Sequence, residues 1–151
     1  MKKLILLTTF LLPFIMFSQT QLGADINGEA SGDESGQSVS FSSDGTIVAI
    51  GARFNDGGAS NSGHVRVYSW NGTSWTQLGS DIDGEAAYDY SGLSVSLSSD
   101  GTIVAIGAPY NDGNGSGSGH VRVYQYSSGN WTQLGADING EASGDESGQS
   151  V

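Results

Sequence analysis

The sequence predicts an all-β chain built from four-stranded antiparallel units, and three observations carry that expectation. The first is internal repetition: TQLGADINGEASGDESGQSV fills residues 20–39 and returns unchanged at 132–151, with a related copy, TQLGSDIDGEAAYDYSGLSV, at 76–95. The starts at 20, 76 and 132 define a period of 56, and the gap-free alignment of 20–75 with 76–131 keeps 38 of 56 positions identical. The chain is therefore a tandem array of one supersecondary unit. The second observation is that each unit holds four short β-prone runs separated by turn residues. The third is the presence of 24 glycines in 151 residues. Each interior Gly costs a helix about 0.8–1 kcal/mol relative to Ala, so this density opposes a helical chain.

Within the first unit, run A (37–42) alternates Val39 and Phe41 with serines, and the Ser43-Asp44-Gly45-Thr46 turn follows, where Gly supplies a positive φ. Run B (47–52, IVAIGA) is apolar on both faces. Run C (63–70) alternates Val65 and Val67 with His64, Arg66 and Tyr68, and an Asn71-Gly72 turn leads to run D (75–81), anchored by Leu78. The second unit repeats the runs at 93–98, 102–108, 119–126 and 131–137. A strand apolar on both faces must be covered on both. A four-stranded meander packed between two like itself meets that demand, and radial repetition of such sheets is a β-propeller. Gly51 and Ala52, matched by Gly107 and Ala108, suit the crowded inner region, and the aromatic runs C and D suit the circumference. A solenoid is the competing architecture; 56 residues is long for one coil, and four turn signals per unit favour a blade.

Residues 1–18 are set apart. A basic Met1-Lys2-Lys3 head and an apolar run over 4–17, shorter than the roughly 20 residues of a membrane span, are expected to form a cleaved export signal ending at Ser18. Residues 19–151 are then a secreted or cell-surface partial propeller with repeats at 20–75, 76–131 and 132–151 and no membrane span. Without cysteine there is no disulfide framework. The balance of 5 Lys+Arg against 16 Asp+Glu, net charge −11, opposes a nucleic-acid partner, whose backbone is gripped by cations. Two blades and flanking strands cannot close a ring of four or more. Residues 20–25 are expected to belong to a blade completed elsewhere and 149–151 to open a lone A strand. The end faces are expected to expose Val39, Ile47 and Val48, or Val95, Ile103 and Val104, inviting further blades or self-association.

The unit resembles the FG-GAP-type repeat of integrin-alpha-like propellers. The resemblance is carried by SGQSVSFSSDGTIVAIGA at 35–52, its twin SGLSVSLSSDGTIVAIGAPYND at 91–112, and SGHVRVY at 62–68 and 118–124. Gly107-Ala108-Pro109 matches the GAP of the name, Arg53 replaces its Pro in the first copy, and Ser-Gly stands where Phe-Gly is expected. The strand-turn-strand segment alone would also suit a WD40-type blade. The resemblance implies a non-enzymatic interaction or adhesion module that binds extracellular protein or glycan through its loops, and calcium in some blades.

That calcium would need a D-x-D-x-D-G loop between runs A and B. The chain instead has Ser42-Ser43-Asp44-Gly45 and Ser98-Ser99-Asp100-Gly101, where one Asp before Gly is first a turn former. A second alternation, Asp25-x-Asn27-x-Glu29, recurs as Asp81, Asp83, Glu85 and as Asp137, Asn139, Glu141, and would put three oxygens on one side of a strand. Solvated acidic loops are the preferred reading of both patterns, and no cofactor is assigned. For catalysis there is no Cys, and the histidines, His64 and His120, are equivalent repeat positions expected in structural or surface roles on a half-exposed strand. No catalytic residue is assigned, and no metal ligand is fixed. The polar B–C loop (55–62, twin 111–118) exceeds what a hairpin needs, leaving a recognition loop or a flexible connector open. Sequons at Asn71, Asn114 and Asn130 are read as chance matches beside a bacterial-type export signal. Two further readings are kept: a structural scaffold within a larger secreted protein, and a hydrolase propeller with an axial pocket.

Overall fold

The structure is a computed structural model that describes residues 19–151; the expected export signal over 1–18 lies outside the described residues. Among the described residues there is no helix. The chain forms β1 (Ser38–Phe41), β2 (Ile47–Ala52), β3 (His64–Trp70), β4 (Trp75–Gln77) and β5 (Ile82–Asp83) in one sheet. β6 (Ser94–Leu97), β7 (Ile103–Ala108), β8 (His120–Ser127), β9 (Asn130–Gln133) and β10 (Ile138–Asn139) form a second. All strand pairings are antiparallel. These are the predicted meanders, and the sheets do not close on one another, as expected of incomplete propeller blades.

Run D departs from expectation. It is two short strands, β4 and β5, both on β3, with Trp75 opposite Trp70 and Ile82 opposite Val65. The break falls at a left-handed glycine, and the second sheet repeats it between β9 and β10 at Gly135, φ 75°, where nothing lies against the glycine. Leu78 N still donates to Val67 O, but Gly79 turns away at φ 71°, and Trp131 of the second sheet lies where a Gly79 side chain would stand and donates its Nε1–H to Leu78 O at 2.8 Å. One period earlier, Trp75 lies against Gly23 and donates to Leu22 O at 3.1 Å. Each outer tryptophan therefore ties its sheet to the chain segment that precedes that sheet.

Pleating and register give each sheet two unlike faces, since directly opposed residues share a side. On the first sheet one face is small: Ser38 and Ser40 oppose Gly51 and Ala49, which oppose Val65 and Val67. The other is large: Val39 and Phe41 oppose Ile50 and Val48, which oppose Arg66 and Tyr68. The small face of the first sheet packs on the large face of the second. The core joins Ala49, Val65, Val67 and Ile82 to Val104, Ile106 and Tyr124, with Val95 and Leu97 packed against it. Ala49 and Val65 are fully buried, whereas their counterparts Ala105 and Val121, with no sheet over them, are only half-buried.

The end faces match the expectation at Val39 alone. Val48 and Val104 are buried, and Ile47 and Ile103 half-buried. Exposure falls on the expected Val39 and on Phe41 beside it in β1, 49% and 55%, whereas their equivalents Val95 and Leu97 are packed. The inner position in strand B is covered by its own neighbours, and the lone strand A at the edge is not. Residues 149–151, expected to open a strand, carry none, and neither do 20–25.

β1 lies against β6 at the inner seam. Ser38 Oγ donates to Gly92 O at 2.6 Å, Leu97 N to Ser40 Oγ at 2.9 Å and Ser43 N to Ser99 O at 2.9 Å. Gly51 is required here, because a Cβ on it would collide with the carbonyl of Gly92. Gly107 stands in the same relation to Gly148. Gly51→Ala is expected to destabilise the chain by about 1–3 kcal/mol through overpacking against backbone, read as a lower denaturant midpoint; a wild-type midpoint would contradict so close a seam.

Candidate functional site

Two places concentrate functional chemistry: a histidine cluster repeated at both seams and an aromatic concavity found once. The first begins with His64, which opens β3 on the large face and is 1% exposed, and His120, its equivalent on β8. Sequence alternation with Arg66 and Tyr68 reads as a solvent face, but Arg66 and Arg122 are buried as well, because the chain segment that leads into each sheet covers them. Arg66 Nη2 donates to Asn27 O at 2.8 Å and Arg122 Nη2 to Asp83 O at 2.7 Å. The expected half-exposed histidines are thus corrected to buried ones.

Two carboxylates face each imidazole. His64 Nδ1 is 3.8 Å from Glu29 Oε2 and 3.7 Å from Asp81 Oδ2; His120 Nδ1 is 3.9 Å from Glu85 Oε2 and 4.0 Å from Asp137 Oδ2. These separations exceed hydrogen-bond length, and neither nitrogen of either ring has a hydrogen-bond partner. Each Glu turns its other oxygen to an arginine, Arg66 Nη1 to Glu29 Oε1 at 3.7 Å and Arg122 Nη1 to Glu85 Oε1 at 3.4 Å. Burial is the largest influence on both imidazoles and holds their pKa below 6.5. For His64 the carboxylate of Asp81 opposes it and Arg66 adds to it, while for His120 Arg122 adds to it and Asp137 opposes it. Both rings are neutral at pH 7. Asp83, opposite His64 in the register, is raised by its own burial and then by Asp81 beside it.

The Asp-x-Asp-x-Glu alternation is therefore not one ligand set. Asp81 faces His64 while Glu85 crosses to His120, so consecutive carboxylates of a single motif serve different seams. Asp44 and Asp100 do act as turn formers. Asp44 accepts from Thr46 N, Ser42 Oγ and Thr46 Oγ1, and Asp100 accepts from Ser98 Oγ, Thr102 N and Thr102 Oγ1, the last set lowering its pKa to about 2. Sequence reading missed Asp33 and Asp89, which are buried. Asp89 Oδ2 accepts from Ala86 N at 3.0 Å and Asn111 Nδ2 at 2.8 Å, and Asp33 repeats the arrangement with Ala30 and Asn55. Their recurrence at one period was the available signal.

The B–C loop is an internally bonded turn system, not an open connector. Gly57 N donates to Asn55 Oδ1 and Asn61 N to Asp56 Oδ1, with Gly113 and Gly117 repeating this on Asn111 and Asp112. Beside the second loop lies a concavity of about 550 Å³ lined by Tyr88, Tyr90, Tyr110, Asp112, Ser116 and Gly117 among others. Tyr90 meets Phe54 and Tyr110 edge-on, with centroids 5.3 and 5.2 Å apart. Tyr88 is 57% exposed and sits at φ 67°, in the left-handed region, where the flanking repeats place Gly32 and Gly144. Tyr90, at φ 55°, replaces Glu34 and Glu146. A bulky side chain in that region is strained by about 1–3 kcal/mol, and the symmetry of the array is broken at these two positions. By contrast, the grooves bordered by Trp131 and by Trp75 repeat one period apart and belong to the architecture.

Residues 81–124 match the family model of the FG-GAP repeat. No curated protein matches the chain. The matched stretch runs from Asp81, through the inner seam and the tyrosine-lined concavity, to Tyr124.

The buried neutral histidines make stability depend on pH. In the unfolded chain they titrate near 6.5, and in the folded chain lower, so below 6.5 the unfolded state binds more protons. Stability is complete above that pH and is lost as pH falls through 6.5 towards the folded values; the raised Asp83 acts with the opposite sign, nearer the carboxylate range. The melting temperature is expected to drop between pH 7.5 and 5.5, and the slope to flatten in His64→Gln/His120→Gln. An equally steep slope in that variant would assign the effect elsewhere.

Proposed function

We propose that this FG-GAP repeat chain is a non-enzymatic, secreted or cell-surface interaction module that binds extracellular glycan through the concavity of Tyr88, Tyr90 and Tyr110. An FG-GAP repeat at 81–124 supports a propeller-type interaction module as the general role. One observation carries the finer reading: the middle repeat alone replaces Gly and Glu by exposed or edge-stacked tyrosines at positions whose backbone is left-handed. At Tyr88, where the other copies have glycine, strain is kept at a surface position in a single copy, which is a mark of use. Tyrosine rings offer flat apolar faces with a polar rim, and the Asp112 carboxylate and Ser116 hydroxyl, both exposed, supply hydroxyl-binding partners beside them. That combination suits the alternating C–H and O–H surfaces of a sugar, and a protein loop bearing similar groups is the other extracellular ligand it accommodates.

A scaffold role has its own support. The half-buried face of Ala105, Val121 and Val123 is the same small face that the first sheet buries against the second, so further blades of this kind would fit it.

A glycan array followed by titration of the best binder tests the first reading. Tyr88→Ala and Tyr110→Ala are each expected to weaken binding about tenfold, near 1.4 kcal/mol. Tyr88→Gly is expected to weaken it while raising fold stability by about 0.5–1 kcal/mol, because the left-handed strain is relieved. Binding that survives loss of both tyrosines would overturn the assignment.

A further inference from the structure

The histidine clusters lie outside the tyrosine face and have a geometry that the interaction role leaves unused. In each, one imidazole nitrogen and two carboxylate oxygens lie within 4.8 Å of one another. The histidine is 1% exposed, lacks any hydrogen-bond partner and points Nδ1 at both carboxylates. The carboxylates stand 3.7 to 4.0 Å from that nitrogen. That is too far to bond it directly, yet within a few tenths of an ångström of the roughly 3.4 Å that separates ligands held about 2.1 Å from one tetrahedral ion. The arrangement occurs twice, one period apart, with the same atoms facing each other.

We infer that Glu29, His64 and Asp81, and likewise Glu85, His120 and Asp137, each bind a divalent transition-metal ion of the zinc type. An imidazole nitrogen with two carboxylates suits such an ion and leaves a fourth position for water, whereas calcium takes six to eight oxygens. The glutamate and aspartate side chains are 45% and 28% exposed at the first site, which gives an ion a route from solvent to the buried ring. Arg66 and Arg122 hold the far oxygen of each glutamate, and orient the near oxygen as an outer partner does in metal sites. Asn55 Nδ2 also donates to Glu29 Oε2, at 3.3 Å. At the second site Glu85 follows β5 of the first sheet, while His120 opens β8 of the second sheet and Asp137 immediately precedes its β10. The ion there joins two neighbouring sheets.

The untagged chain, stripped with chelator and dialysed against Zn²⁺, is expected to retain two ions per chain and to melt at a higher temperature than the stripped form. His120→Gln is expected to retain one and His64→Gln/His120→Gln none, with circular dichroism verifying the fold. Should the histidine variants not fold, Glu29→Gln/Glu85→Gln, altered at exposed carboxylates, is expected to lose both ions. A hundredfold excess of Ca²⁺ is expected to displace neither, and Co²⁺ in place of Zn²⁺ to show the intense visible absorption of four-coordination. Fewer than two ions on the native chain, retention of both by the double variants, or displacement by Ca²⁺ would each overturn the inference.

Discussion

Everything in this chain depends on how closely the backbone of one repeat approaches the next. Gly51 faces the carbonyl of Gly92 with no room for a Cβ, Ser38 Oγ bonds that carbonyl, and Gly107, Gly148 and Ser94 repeat the contact one period later. The seam fixes more than a distance. Ser43 bonds Ser99 across an interval of 56 residues, the period itself, so equivalent residues of adjoining repeats stand beside one another. From that registration follow the tryptophan bonds to Leu22 and Leu78 and the arginine bonds to Asn27 and Asp83, each in two copies. A methyl group at the seam would shift all of them together, because close-packed interiors transmit strain.

The same registration explains what could be read from the sequence and what could not. Strand order, turn positions and the need to cover both faces of IVAIGA are local properties, written in β-prone runs, Asp-Gly turns and small residues, and they appear where expected. Run D was read as one strand, but it splits at Gly79 and, in the second sheet, at Gly135, both left-handed, and these glycines inside the run were the available signal. Burial of His64 and Arg66 was not legible, because what covers them lies far along the chain. Their alternation with valines signals two faces, but only the path of the segment leading into the sheet, Asn27 for Arg66, decides that the polar one is covered. The Asp81–Glu85 alternation misled most directly, since an in-line spacing suggests a common ligand whereas the fold sends its two ends to different histidines.

The two candidate sites sort by symmetry. The histidine clusters recur because the repeat recurs, each setting two carboxylates around a buried histidine at the join of one repeat to the next. The tyrosine concavity does not recur. Gly32 and Gly144 show that the array's own backbone is satisfied by glycine at the position of Tyr88, and no packing need calls for an exposed aromatic ring there. Tyr90 differs, since it is wedged between Phe54 and Tyr110 and so rigidifies the platform from which Tyr88 projects. A repeat protein gains specificity by loading one copy with residues the others do not need, and it keeps the copies alike where they must fit one another. On that logic the strain at Tyr88 supports the proposed recognition role, and the unpartnered imidazoles support the proposed metal sites at the joins between repeats.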